Sequence, residues 1–468
     1  MKLIKGISIL SAAVLLAACG SDDDDDNDPA PTYNFQSKLI DDASSVSYSG
    51  QVARNTMINE LKSLIGSDQL AVTTGGASVE DTINTKLGLI YEEGTRSVKT
   101  GNDDLTNKDA YTLAATATEV NLSGKGEVTF SAPDYTTISS DKNLKGKIAG
   151  MDNDLARGEF IGWTFADGVA ESDKADALVQ SWFDAVAANG EAGSDKPYVS
   201  ATGLDYKQLT QKFLLGAVAF SQASNDYLKA DKGLKKQNSD HPEKDGVKQT
   251  DKPYTDLEHQ WDEGFGYFGA ARDYNNYTDA QLKKQKYNDT NEDGVIDLNS
   301  EYTFAMAQYA NKRDDSAIGS DYSQSIMDNF IKGRQLIQDN FGTDPVVGEG
   351  YHAELAEIAK EIIMDWEEIF AANVIHYINA TLEDMAAIDG DTLGDLPKHW
   401  GEMKGFALAL QFNQPATSAI TTAELKQLHG YLEEAPKLTN DADYRIALAN
   451  ARDLLKETFE FEGDVTQW

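Results

Sequence analysis

The sequence predicts a mainly α-helical protein, a helical bundle with a candidate internal duplication, plus a small irregular, β-containing N-terminal portion. Three observations lead there. From Ala175 onward, apolar residues recur at helical spacing in one segment after another. Strand-like alternation is confined to short stretches upstream of that point. A Trp-Glu-Gly-aromatic pattern also occurs twice, each time after a long apolar helix, as duplicated helix pairs would leave it.

At the N-terminus, Lys2 and Lys5 precede a largely apolar run, Ile7 to Ala18, of secretory-signal length. The run is shorter than the ~20 apolar residues that span a bilayer. It ends Leu16-Ala17-Ala18-Cys19-Gly20, which resembles a bacterial lipobox. The resemblance implies that residues 1–18 are a signal peptide, cleaved before a Cys19 that is lipidated on its thiol and its new amine. Acyl chains at ~0.8 kcal/mol per buried methylene make a firm membrane anchor. An ordinary signal peptide with an incidental cysteine is the alternative. Residues 19–33, with the run Asp22 to Asp26 and then Pro29 and Pro31, read as an extended acidic tether. Gly20, rather than Asp, after the cysteine matches sorting to the outer membrane in Gram-negative bacteria. The acidic run also resembles surface-export signals, so the periplasmic and the surface face both stay open.

Cys19 is the single cysteine, so the folded part has no disulfide, thiolate zinc site or cysteine nucleophile. A chain of 468 residues buries a sizeable core without such staples. With 41 basic and 78 acidic residues the net charge is −37. Such acidity repels phosphate backbones and anionic lipid surfaces, which excludes nucleic acid as a partner. It fits attraction for cations, and equally a salty habitat.

Residues 34–468 read as one mainly helical domain, mixed over 34–170 and a bundle over 171–468. Ser45 to Ser49 alternates like a short strand. Val52 to Ile65 then forms an amphipathic stripe through Ile58, Leu61 and Ile65, and Val79 to Tyr91 is a second helix. The Thr-, Ser-, Asn- and Gly-rich stretch from Gly101 to Ser140 reads as irregular, with a strand-like Glu127 to Phe130. Further helices are expected at 175–188, 205–228, 256–273, 302–311, 323–338, 349–387, 398–412, 422–432 and 444–459. Lys229 to Lys252, almost devoid of large apolar residues, reads as a solvated insertion.

The sharpest motif is Asp289-Thr290-Asn291-Glu292-Asp293-Gly294-Val295-Ile296-Asp297-Leu298-Asn299-Ser300. It matches the opening of an EF-hand calcium loop: oxygen ligands from Asp289, Asn291, Asp293 and Asp297, a glycine at the sharp turn, and the Val295 carbonyl between them. Ser300 stands where the bidentate Glu belongs, and Glu301, one residue late, is the candidate replacement. The expected site is a weak, structural calcium clamp over 289–301; a metal-free Asx-rich turn is the alternative.

The duplicated pattern supplies a second cluster. Trp261-Asp262-Glu263-Gly264-Phe265-Gly266-Tyr267 parallels Trp400-Gly401-Glu402-Met403-Lys404-Gly405-Phe406, with Ala270 and Ala409 four positions after Gly266 and Gly405. Helical spacing sets His259, Glu263 and Gly266 on one face, and His399, Glu402 and Gly405 on the other copy's. If the copies face each other, Glu263 and Glu402 meet in the core with a His beside each, and paired buried carboxylates call for a cation or a proton between them. Iron or copper is the metal such a cluster suggests. A buried polar cluster that only fixes helix register is the competing reading.

Two family resemblances bear on function. Imelysin-like envelope proteins, helical bundles linked to iron uptake and sometimes called peptidases, carry Gly-x-His-x-x-Glu. Here Gly350 and His352 fit, but Leu355 stands in place of Glu, and Glu354 and Glu357 miss the spacing. His352 therefore reads as a surface histidine at a helix start, and His376, beside Ile375 and Ile378, as a satisfied core histidine. The chain more closely resembles bacterial lipoproteins grouped as domain of unknown function 4856. Ser45 to Gln51, Trp261 to Gly269, Asp289 to Tyr302 and Glu402 to Asn413 carry that likeness. The resemblance implies a helical, distantly imelysin-like fold in a metal-uptake context, and no catalytic residues. No serine-histidine-acid motif, His-Glu-x-x-His, phosphate loop or dinucleotide fingerprint is present. The leading expectation is a lipid-anchored cell-envelope binding protein, non-catalytic and accessory to uptake of a metal or metal complex. An imelysin-like peptidase or hydrolase, and an adhesion or scaffold protein for envelope partners, are the rivals.

Overall fold

The computed structural model describes residues 30–73, 76–92, 121–122, 126–127, 129–131, 143–278, 281–282, 286–314, 320–390 and 392–468. Cys19, the signal segment, most of the tether and most of the Gly101 to Ser140 stretch lie outside the described residues.

The fold is mainly α, as expected. Its helices are α1 (Ser49–Ile65), α2 (Val79–Tyr91), α3 (Lys174–Glu191), α4 (Tyr206–Leu214), α5 (Asp256–Phe268), α6 (Ala305–Arg313), α7 (Tyr322–Asp339), α8 (Gly350–Ala387), α9 (Leu396–Ala409), α10 (Thr422–Leu432) and α11 (Ala442–Thr458). Local chemistry sets their ends. Thr255 with Glu258, and Thr421 with Glu424, form reciprocal capping boxes at the starts of α5 and α10. Ser78, Asp205 and Asp441 cap α2, α4 and α11 with a side-chain oxygen. Helix α5 stops at Gly269, in the left-handed region with φ +80°, where a β-carbon would sit 2.8 Å from Phe304.

Helix α8 is the spine. Its 38 residues run about 57 Å and pack against α7, α9, α6 and α11. Trp366, Ile369, Phe370, Ile375 and Ile378 are fully buried along it. Each Trp-Glu-Gly helix has another helix seated on it. Helix α1 packs on α5, α4 packs on α9, and α1 and α4 pack on each other. In both pairs the repeat glycine receives the neighbouring helix: a β-carbon at Gly266 would lie 2.9 Å from the Gln51 β-carbon, and one at Gly405 only 2.6 Å from that of Lys212. Trp261 and Trp400 are both fully buried and both donate from the indole, to the Phe330 carbonyl at 2.9 Å and to the Tyr444 hydroxyl at 2.7 Å. These pairs, α1 with α5 and α4 with α9, are not the pairs the sequence pattern sets together, which are the helices of 213–228 and 369–382 with the one that follows each.

Strands are short. β1 (Asn121–Leu122) pairs with β2 (Gly126–Glu127), and β4 (Glu243–Lys244) with β5 (Val247–Lys248), both antiparallel. β3 (Thr129–Ser131) runs parallel to β6 (Val295–Asp297).

Four local expectations change. The chain at Ser45 to Ser49 is not a strand: Ser49 opens α1, and the Ser47 amide donates to Asp262 Oδ2 at 3.0 Å. Tyr33, assigned to the tether, is fully buried, stacked on Phe265 at 3.8 Å and donating to Asp262 Oδ1 at 2.7 Å. The expected helix over 205–228 is α-helical to Leu214 and then winds in wider π-type turns over Leu215–Phe220 and Ala223–Tyr227. There Gly216 lies so close to α9 that a β-carbon would stand 2.3 Å from that of Ala409. The insertion 229–252 carries an exposed hairpin, but its Leu234 and Asn238 are fully buried. Asn238 donates to the Ile337 carbonyl at 2.8 Å and accepts from Thr255 Oγ1 at 2.9 Å.

Candidate functional site

Side-chain oxygens of the acidic loop accept from the loop's own amides. Asp289 accepts from the amides of Asp293 (3.1 Å) and Gly294 (3.0 Å), and Asn291 accepts from that of Asp293 at 3.0 Å. Gly294 takes φ +83°, which a side chain would resist. Glu301, and not Ser300, turns into the loop. It is 4% exposed and accepts from the amides of Thr290 (3.1 Å), Asn291 (3.4 Å) and Asp297 (2.9 Å). Burial raises its pKa above the ordinary carboxylate value. Ser300 instead donates to Asp297 Oδ2 at 2.8 Å. Val295 opens β6, so its carbonyl lies where the loop meets β3. Among the described residues, no group of three or more His, Cys, Asp or Glu side chains is gathered as metal ligands.

The two repeat glutamates have separate partners. Glu263 accepts from Gln51 Nε2 at 2.8 Å and from Gln260 Nε2 at 3.2 Å. His259 stacks on Tyr254 at 4.5 Å, shares a 2.9 Å hydrogen bond with the Ser47 carbonyl through Nδ1, and holds Nε2 3.9 Å from Glu263. Glu402 instead pairs with Lys212 at 3.0 Å, with both side chains almost wholly buried. Burial works to raise the Glu402 pKa, but Lys212 and Lys62 outweigh it and leave the carboxyl below its ordinary range. His399 is bonded through Nδ1 to Asp384 at 2.7 Å. A residue of the helix seated on each repeat glycine thus also bonds the repeat glutamate: Gln51 of α1 for Glu263, Lys212 of α4 for Glu402.

His352 and His376 both differ from expectation. His352 is 1% exposed, not on the surface; Nδ1 accepts from the Gly348 amide at 3.0 Å and Nε2 meets the Ala230 carbonyl at 2.9 Å. It clips the start of α8 to the segment after α4. His376 is half-buried, its Nδ1 has no hydrogen-bond partner among the described residues, and burial pulls its pKa down to about 4.

The family follows from the whole-chain comparison. A family model described as a domain of unknown function, DUF4856, matches residues 30–442. The chain belongs to the DUF4856 family. No curated protein and no solved structure matches it.

Sequence reasoning missed the basic side chains that this DUF4856 chain buries. Lys212 is fully buried and donates to Gln208 Oε1 (3.1 Å) and Gln211 Oε1 (2.7 Å) as well as to Glu402. Lys404, also fully buried, touches His429 Nδ1 at 3.1 Å and donates to the Glu433 carbonyl at 2.6 Å. Each sits on an apolar stripe, Lys212 between Leu209 and Phe213 and Lys404 between Trp400 and Leu408. A lysine in register with core positions was the available signal. A third buried centre is structural: Arg334, fully buried, holds Asp262 and Glu258 at 2.9 Å each and Ser45 Oγ at 2.7 Å. It locks the N-terminal segment to α5 and α7.

Proposed function

We propose that this DUF4856 protein is a lipid-anchored cell-envelope binding protein, non-catalytic and accessory to the uptake of a metal complex. The anchor rests on the lipobox-like Leu16 to Gly20 and the acidic run behind it. The observation that carries the binding role is the polar interior around Glu402. There an ion pair lies beneath Tyr309, whose hydroxyl burial keeps protonated, and beside Tyr377 and His399. Glu263 and Glu402 do not share a partner, and Glu402 is already neutralised by Lys212. A bare iron or copper ion therefore has no ready carboxylate pair, and a complexed metal suits this interior better.

The test is elemental analysis of protein purified from its own envelope under iron-replete and iron-starved growth. Iron or copper is expected in the replete sample. Glu402→Gln should lose it while Glu263→Gln keeps it. Metal-free protein under both conditions, after exposure to trace iron and copper, would remove the uptake role. In the same preparation Cys19→Ser should move the protein from the detergent phase to the aqueous phase; a variant still in the detergent phase would rule out the lipid anchor.

A further inference from the structure

Two buried bases meet where α9, α10 and the chain at 160–165 come together. On α9, Lys404 holds its Nζ 3.1 Å from His429 Nδ1 and 2.6 Å from the Glu433 carbonyl, both at the C-terminal end of α10. Lys404 is 0% exposed and His429 6%. The His429 ring is seated on the strap 160–165: at Gly162, with φ +90°, a β-carbon would stand 2.4 Å from the ring's Cγ. Only glycine leaves that seat open. The strap in turn rests on the core through Phe160, 6.0 Å from Phe213, and Trp163, 5.6 Å from Trp182.

Among the described residues no carboxylate lies within hydrogen-bonding distance of Lys404. Along α9, Glu402 is taken by Lys212 of α4 at 3.0 Å, and His399 by Asp384 of α8 at 2.7 Å. The π-type turns over Leu215–Phe220 carry no charged side chain. On α10 and just past it, Lys426 is held by Glu159 at 2.7 Å and Glu433 turns its carboxylate to Lys437 at 2.5 Å. Glu434, whose charge favours protonation of Lys404, accepts from Thr164 of the strap at 2.7 Å. The Trp163 ring, 5.9 Å away, stands at the limit of a useful cation–π contact. The end of α10 also favours a cation, yet its fractional charge offsets only part of the cost of burying a whole one. Hydrogen-bond matching points the same way. A neutral amine brings two N–H groups to these two acceptors, whereas an ammonium brings a third, for which the described residues offer no acceptor. Burial lowers the Lys404 pKa to about 7, and burial together with Lys404 holds His429 well below the usual histidine range.

We infer that the Lys404–His429 contact is a proton-operated latch, which keeps α10 seated on α9 and on the strap while the amine is neutral and loosens α10 as the amine takes up a proton. An opened α10 puts Lys404 in water, where an ordinary lysine titrates near 10.5. Opening therefore takes up a proton wherever the closed amine is neutral and the open one charged, from 10.5 down to about 7. Each pH unit lost inside that window favours the open form about tenfold. Below it both forms are charged, and the dependence ends. The latch requires neither the lipid anchor nor a metal.

Hydrogen exchange of the full chain, read by mass spectrometry from about pH 7 to about pH 9.5 and corrected for the intrinsic rate, tests the latch. Amides of α10 are expected to exchange through a smaller opening than those of α8 around Phe370. Their protection should fall about tenfold for each pH unit of acidification. Lys404→Met, uncharged throughout, should hold α10 protection level over the same range, with circular dichroism confirming its fold. Wild-type α10 protection that does not change with pH, or that equals that of α8 at every pH, overturns the latch, and the wild type decides this without the variant. A pH dependence that survives Lys404→Met overturns it too, because the proton then binds elsewhere.

Discussion

A buried lysine and a buried glutamate make opposite demands on pH. Among the described residues Lys404 has no carboxylate within hydrogen-bonding distance, and burial lowers its pKa to about 7. Above pH 7 the folded chain therefore holds fewer protons than the unfolded chain, where an ordinary lysine titrates near 10.5. Its contribution to stability is full above the unfolded pKa and is lost as pH falls through about 7. Lys404→Met should flatten the rise in melting temperature between pH 7 and 10; an unchanged slope would show that Lys404 is charged in place. Glu60, 8% exposed, is pushed up to about 8 by burial alone. Here the folded state keeps the proton longer, so stability is full below pH 4.5 and falls as pH rises through about 8. Glu60→Gln should leave stability near pH 4 unaltered and raise it at pH 8.5, by about 1.4 kcal/mol for each pH unit of that window crossed. Equal effects at both pH values would place the cause in packing instead. The sequence exposed the carboxylates of the acidic loop because their spacing is local. It hid Lys212, Lys404 and the Arg334 centre, because which polar residue is buried depends on the helix that lands on it.

At the scale of the element, period and capping carried most of the information. The bounds of α2 and α10 match the periodic segments, since Ser78 and Thr421 mark where each begins. Helix α4 was misjudged past Leu214, because π-type turns keep an apolar face and leave no mark in the spacing. The repeat was legible as a pattern of glycines; that Gly266 seats α1 and Gly405 seats α4, and that the two repeat helices do not seat each other, was not. That arrangement makes a prediction. Alanine is a better helix former than glycine by about 1 kcal/mol, yet at Gly405 its methyl would stand 2.6 Å from the Lys212 β-carbon. Gly405→Ala should lose about 1–3 kcal/mol in urea denaturation through overpacking. Gly88→Ala in α2, where nothing lies within 4 Å of the new methyl, should gain up to about 1 kcal/mol. Both variants shifting in the same direction would mean that propensity, and not the α4–α9 approach, governs Gly405.

For the whole molecule, the acidic loop is more than a surface turn. The Tyr48 hydroxyl, at the start of α1, donates to the Asn299 carbonyl, and the Arg272 amide donates to that of Ser300 at 2.8 Å. Arg272 Nε also reaches the Tyr48 oxygen at 3.0 Å, and β6 pairs with β3. The loop thereby joins α1, the chain after α5 and the described part of the mixed segment. A divalent cation drawn to Asp289, Asn291, Asp293 and Asp297 would tighten all three connections at once, and a net charge of −37 favours its approach. Glu301 completes such a site only by exchanging its bonds to the Thr290, Asn291 and Asp297 amides for the ion, which makes for weak binding. At a calcium concentration 100-fold above the dissociation constant the native state gains about 2.7 kcal/mol. Calcium should therefore raise the melting temperature of the wild type relative to chelator, and Asp289→Ala with Asp293→Ala should abolish the difference. Glu301→Gln should weaken the calcium response without removing it, whereas Ser300→Ala should leave it intact. Identical melting in excess calcium and in chelator would mean that the Asx-type hydrogen bonds alone hold this loop, and that the three segments meet there without an ion.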